Sequence, residues 1–312
     1  MQTVKYQPEN KAVWDAFVRA SKNGTFLFCR DFMEYHADRF TDCSLLCYDR
    51  DELVALLPAN RVGDTLYSHQ GLTYGGFVLS HKAKAEKVLD LFASLMDFLR
   101  EQRIKKLVYK PIPHIYHRLP SEEDLYALFR RNAVLTARSI ASAIEIGQRL
   151  EYAQLRKRQI KKALSRGIII GESDRFDDFW AILEANLQEK HQVKPVHSPE
   201  EISYLKSKFP NEIRLFVATQ DARTLAGCVI FDTGQTAHVQ YISANEEGKQ
   251  AGALDLLFDR LLGETFAHKK YFDFGISTED AGRCLNAGLI AQKEGFGGRG
   301  IVYDCWEVEA GG

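Results

Sequence analysis

The sequence predicts an α/β chain of two tandem domains, residues 1–148 and 149–312, and three observations carry that expectation. The order strand, strand, strand, helix, strand, helix, strand occurs twice. The apolar period changes from strand to helix at legible points, most plainly across Glu246 to Gly252. With 312 residues, 45% hydrophobic and 27% charged, the chain is long enough for each half to bury its own core.

In the first half, AVWDAFVRA (12–20) reads as a short amphipathic helix, followed by the Asn23-Gly24 turn and a second helical piece, RDFMEYHADRF (30–40). CSLLCYD (43–49), ELVALLPANRV (52–62) and DTLYSHQGLTYGG (64–76) then read as successive strands. A helix carrying Val88, Leu91, Phe92, Leu95, Met96 and Leu99 on one face comes next. The strand KKLVYKPI ends at Pro111 and Pro113, which cannot donate to a sheet ladder, and a helical EEDLYALFRRNA and a strand TARSIASAIEI follow. The second half repeats this order with IRLFVATQD, LAGCVIFDTG, AHVQYISA, the helix GALDLLFDRLLGETFAHK, the strand YFDFG, the helix GRCLNAGLIAQKEGF and the strand GIVYDCWEV.

A formal net charge of -1 gives no global attraction to nucleic acid or to an acidic membrane, so any basic site is local. No apolar run is long enough to span a bilayer, and MQTVKYQPENKAVWDAF lacks the layout of a secretory signal, so the expected location is cytoplasmic. Cys29, Cys43, Cys47, Cys228, Cys284 and Cys305 are scattered without a CxxC pair. They read as free, buried thiols, with neither structural zinc nor disulfide.

Two stretches draw attention beyond the fold. In TAHVQYISANEEGKQAGALDLLFDRLL (236–262) a strand empties through Gly248 and Gly252 into a helix, where backbone N–H groups and a dipole could capture a pyrophosphate. Alternatively, the two glycines merely shape a turn. Between the halves, Arg149, Arg156, Lys157, Arg158, Lys161, Lys162 and Arg166 crowd one helix whose apolar stripe is Leu155, Ile160, Ala163 and Leu164. That helix is either a solvated linker or a clamp for a polyanion.

The repeated order resembles the GNAT acyltransferase fold, which implies a mostly antiparallel central sheet flanked by helices in each domain. AGLIAQKEGFGGRGIVYDCWEV, with Lys293, Phe296 and Gly297, resembles the closing motif of the Fem-type peptidyltransferases, and LRKRQIKKAL is similar to their basic helix. The motifs cover the second half, and the first half matches by order of elements, as in tandem-GNAT acyltransferases of the Fem-like group.

The resemblance implies transfer from acetyl-CoA or another acyl-CoA to an amine such as an amino sugar or a cell-envelope precursor. It places the carrier on the second domain at Ser243, Ala244, Gly248, Lys249, Gln250, Ala251, Gly252 and Ala253, although the family's Q/R-x-x-G-x-G/A loop is degraded here. Gly252→Glu would then abolish carrier binding without unfolding the domain. The superfamily's general-acid tyrosine has Ala291 in its place. Glu189, His191 and His197 are candidates for the base, and Tyr303 for the acid, each with a packing or surface role as the alternative. Tyr67, His69 and Tyr74 of the first domain are candidates for an acceptor cleft, or else core residues. A Fem-like peptidyltransferase using aminoacyl-tRNA and a catalytically inactive binding module are the competing readings.

Overall fold

The structure, a computed structural model, describes residues 1–310 except for the side chains of Lys190 and His191. In chain order it begins with β1 (Gln2–Lys5), α1 (Lys11–Ala20), α2 (Arg30–Glu34), β2 (Leu45–Asp49), β3 (Glu52–Leu57), β4 (Asn60–Val62), β5 (Thr65–Tyr67) and β6 (Val78–Leu79). Next come α3 (Ala85–Glu101), β7 (Lys106–Tyr109), α4 (Glu123–Arg130), β8 (Val134–Glu145), α5 (Gln154–Ser165), β9 (Ile169–Ser173), α6 (Phe176–His191) and α7 (Pro199–Lys208). The chain continues through β10 (Ile213–Gln220), β11 (Arg223–Asp232), β12 (Thr236–Ala244), α8 (Glu246–Ala251), α9 (Ala253–Arg260) and β13 (Tyr271–Ile276). It closes with β14 (Thr278–Glu279), β15 (Cys284–Leu285), α10 (Ala287–Gly295) and β16 (Arg299–Glu309).

Two compact units result, one of residues 1–140, 278–285 and 302–312, the other of residues 141–277 and 286–301. In the first, β2 pairs antiparallel with β1 and β3, and β6 joins β3. Also in that unit, β4–β5 and β7–β16 are antiparallel pairs, whereas β5–β7 is parallel. In the second, β9, β10, β11 and β12 are successive antiparallel neighbours, β12–β13 is parallel, and β13 pairs antiparallel with β8. The expected α/β architecture with mostly antiparallel sheets and flanking helices is what the chain adopts.

All six residues predicted for one face of α3 are buried, because their spacing turns one stripe of the helix onto the sheet. Where sequence and structure differ, local chemistry explains it. Pro58 cannot donate to a ladder, so the expected strand 52–62 divides into β3 and β4. The expected strand 64–76 stops at Tyr67, since the chain doubles back on itself: an added Cβ on Gly75 would lie 1.8 Å from the Ser68 carbonyl oxygen. The expected helix 252–269 is α9 followed by a π turn (Leu261–Thr265), and a separate helix, α8, precedes it and is broken from it at Gly252 with φ +76. On α5 the predicted apolar stripe narrows to Ile160 and Ala163, leaving Leu155 and Leu164 exposed. Of the cysteines, Cys284 is exposed and Cys305 half-buried, while the other thiols are buried as expected.

The folded-back segment has a structural effect in the first unit. Beyond the short parallel pair of β5 and β7, Ser68 N–H donates to Val108 O (2.9 Å) and Gly75 N–H donates to Lys110 O (2.8 Å). Lys110 N–H donates to Ser68 Oγ (2.8 Å), and Phe77 N–H to Tyr109 Oη (2.7 Å). The fork between these two strands is therefore filled by the protein's own chain.

Candidate active site

The second unit leaves the corresponding fork open. Strands β12 and β13 pair in parallel only over Thr236–His238 against Tyr271–Asp273, although β12 runs on to Ala244 and β13 to Ile276. They part where the β13–β8 register shifts, between Asp273 and Ile276, and Gly275 there has φ +73, a conformation that glycine adopts without steric cost.

Groups that are costly to bury meet at this point. Asp273, fully buried, accepts from His238 Nδ1–H (2.8 Å) and from Gly275 N–H (2.8 Å). From α10, Lys293 Nζ donates to the carbonyl oxygens of Gly275 (2.8 Å) and Ile276 (2.7 Å). Burial lowers the Lys293 ammonium to about 8, with the Asp273 carboxylate opposing the shift. Lys293 also borders a narrow apolar pocket of about 20 Å³, walled by Val239, Ile242, Phe258, Phe274 and Phe296.

A cleft of about 620 Å³ shares Ile242, Leu289 and Gln292 with that pocket. Its walls include Leu183 and Asn186 of α6, Ser243 and Ala244 at the end of β12, Lys249 of α8, and Gly288 of α10. Asn186 ties the walls together, since its Nδ2 donates to Ser243 Oγ (2.7 Å) and Ala244 O (2.8 Å), and its Oδ1 accepts from Lys249 Nζ (3.1 Å). Size and lining suit a small-molecule ligand, with an ammonium at the rim for an anionic end.

Residues 153–281 match the family model of the acetyltransferase (GNAT) domain. The second unit carries a GNAT acetyltransferase domain. FemX has the same fold, with a TM-score of 0.71 at 12% identity over 97% of this chain and 97% of that one. L-PGS from Bacillus licheniformis aligns with a TM-score of 0.62 at 10% identity, covering 99% of this chain and 93% of that one. A tandem GNAT protein from the clavulanic acid biosynthesis pathway gives 0.54 at 12% identity, over 100% and 99% of the two chains. No curated protein sequence matches this one. The chain thus has a Fem-like tandem GNAT fold, and its class is that of an acyltransferase.

Within the GNAT domain, Ser243, Ala244 and Lys249 of the expected carrier set line the cleft. The rest of that set lies in α8, in α9 and at the left-handed Gly252 between them, rather than in an open loop. Asn245 caps α8 by accepting from Gly248 N–H (2.8 Å), and Lys249 N–H is bonded to Asn245 O (2.9 Å), so these amides are already engaged. Gly248 and Gly252 are glycine for close packing: added Cβ atoms would lie 2.4 Å from Leu225 O and 2.6 Å from Gln159 O. Ala251 and Ala253 are fully buried, and Gln250 is exposed and bonded to Glu246. Gly252→Glu is therefore a disruptive substitution, contrary to the expectation from sequence.

The catalytic candidates are dispersed. Glu189 is exposed on α6, and the side chain of His191 lies outside the described residues. His197 is buried, with Nδ1 bonded to Tyr241 Oη and its carbonyl accepting from Trp180 Nε1–H (3.0 Å). Tyr303 belongs to the first unit, where its hydroxyl meets that of Tyr116 at 2.9 Å. His69 and Tyr74 are buried in the same unit, His69 against His36 and Phe40, Tyr74 against Phe28 and Tyr116, and burial lowers the His69 imidazole to about 3. Tyr67 is half-buried at the end of β5. Sequence reasoning missed His238 and Asp273, which are 35 residues apart and meet only when β12 and β13 pair. It noted Lys293 in a motif without giving it a role. A lysine at the spacing of Ile290 and Phe296, both buried, was the signal available.

Proposed function

We propose that the GNAT domain, working in the cytoplasm, moves an acyl group from acyl-CoA, with acetyl-CoA the first to test, to an amine such as an amino sugar or a cell-envelope precursor. The observation that carries this reading is the parting of β12 from β13 around an apolar pocket bordered by the buried Lys293, a pocket that shares Ile242, Leu289 and Gln292 with the cleft of about 620 Å³. Ser243, Ala244 and Leu254 would line the carrier, and Lys249 would face its phosphates. The filled fork of the first unit supports giving the carrier to the second unit.

In this reading the neutral amine attacks the thioester carbonyl and gives up its N–H proton to solvent, the C–S bond breaks, and the departing sulfur takes a proton from Lys293 Nζ, which solvent then restores. A donor near 8 is close to the range of a thiol, which is what efficient proton transfer needs. Lys293 thereby fills the role left open by Ala291.

Gly288→Trp tests the placement. Gly288 faces the cleft, and an added Cβ would meet only Asn286 Oδ1, at 3.8 Å, so an indole fills the cavity without straining the backbone. Titration calorimetry with acetyl-CoA and with desulfo-CoA is expected to show micromolar binding to the natural chain and a loss of at least about tenfold in Gly288→Trp, equivalent to ~1.4 kcal/mol. The melting temperature stays level or rises, because glycine is the poorer helix former. Unchanged affinity in the variant would remove the ligand from this cleft. Absence of any acyl-CoA binding, with tRNA bound in a steeply salt-dependent way, would replace the donor by an aminoacyl-tRNA.

A further inference from the structure

The outer face of α5 lines neither the cleft nor the pocket of the candidate site. Arg158, Lys161, Lys162 and Arg166 are exposed there, and none of them forms an ion pair among the described residues. Their neighbours differ: Arg156 is bound to Asp255 at 2.8 Å and Lys157 to Glu151 at 2.9 Å. The nearby carboxylates are already engaged, Glu172 with Arg214 and Glu264 with Arg260. The cations are therefore not neutralised locally.

Aliphatic side chains stand among these cations. Leu155 is 46%, Leu164 49% and Ile169 68% exposed. Gly167, with φ +70, turns the chain sharply after α5, so that β9 starts beside the helix end, and Leu164 and Ile169 share the rim of one cavity of about 350 Å³. Cationic and aliphatic groups thus interleave over one stretch, 155–169, of a chain whose net charge is only -1.

We propose that this face docks the second unit on a membrane surface of anionic phospholipid. Cations close to such a surface each strengthen binding by roughly fivefold, and exposed leucine and isoleucine gain by leaving water for the acyl boundary. A nucleic acid would use the charges and not the aliphatic groups. A single strand would also call for stacking side chains, and residues 154–169 include no aromatic. Docking is peripheral, as no helix among the described residues is long and apolar enough to cross a membrane.

Sedimentation of the intact protein with vesicles tests this, using phosphatidylcholine alone or with about one-third phosphatidylglycerol, at low and moderate salt. Binding is expected only to the anionic vesicles and weakens with salt. Lys161→Glu with Lys162→Glu lowers the partition coefficient by at least about 25-fold, from two cations at roughly fivefold each. Leu164→Ser with Ile169→Ser lowers it several-fold at unchanged charge, and melting curves verify that both double variants are folded. No vesicle binding at low salt, or none of it lost in the charge variant, overturns the proposal. Vesicle binding indifferent to the serine variant, together with equal binding of bulk RNA, also overturns it, because the face would then be reading phosphate alone.

Discussion

Lys293→Met is expected to slow thiol release from acetyl-CoA by about 10²–10⁴-fold, the range for losing a positioned proton donor, while acyl-CoA affinity changes little. The lysine is held by two carbonyl oxygens at 2.8 and 2.7 Å and borders the apolar pocket between β12 and β13, so its proton is presented from a fixed point. In the natural chain turnover should fall as pH rises through about 8, since the donor must be charged. Stability runs the other way. The folded value lies below the value near 10.4 of an unfolded lysine, so between about 8 and 10.4 the unfolded state binds more protons and folding gains as pH rises. An activity loss above pH 8 that accompanies unchanged or higher stability therefore reports the donor and not unfolding. Lys293→Arg keeps its charge at every accessible pH and should lose the alkaline limb. Retained turnover in Lys293→Met, with the same pH profile, sinks the assignment.

Gly252→Ala is expected to destabilise the second unit by about 2–4 kcal/mol, the left-handed backbone supplying about 1–2 and the collision the remainder. With φ +76, position 252 is strained for any side chain, and an added Cβ would lie 2.6 Å from Gln159 O and 3.1 Å from Gln159 C, backbone atoms of α5. That helix cannot easily retreat. Its Arg156 is paired with Asp255 of α9 in a largely buried bridge and lies over the Phe296 ring at 5.6 Å, while Ile160 and Ala163 are buried beneath it. Urea unfolding followed by far-ultraviolet circular dichroism measures the loss. A cost below about 0.5 kcal/mol, usual for substitutions away from special backbone sites, would show that α5 moves aside. Gly288→Trp is the contrast, since it fills the cleft and leaves the backbone unstrained.

Gly248 and Gly252 show what was legible in the sequence and what was not. The strand-to-helix junction borders the candidate cleft, which Ser243, Ala244 and Lys249 line. Yet a glycine that makes room for a phosphate and one that makes room for a neighbouring helix look identical in one dimension. Only Leu225 O and Gln159 O, residues apart in sequence, separate the two cases. The repeat of elements and the buried face of α3 were readable because they are local and periodic. Asp273 and His238 were not, because their contact depends on a three-residue parallel pairing that sequence spacing does not encode. Helix α6 is legible by the same rule, since Phe176, Phe179, Trp180 and Leu183 follow helical spacing and are all buried.

The closed fork in the first unit leads to an expected stoichiometry. Both units contain a short parallel pair of strands, but in one the space beyond it is taken by Ser68 to Phe77, hydrogen-bonded to β7 and to Lys110 after it. Architecture is repeated while occupancy is not. Equilibrium titration of the intact chain with acetyl-CoA should saturate at one molar equivalent with a single affinity, and a second equivalent would mean that the segment from Ser68 to Phe77 gives way to ligand.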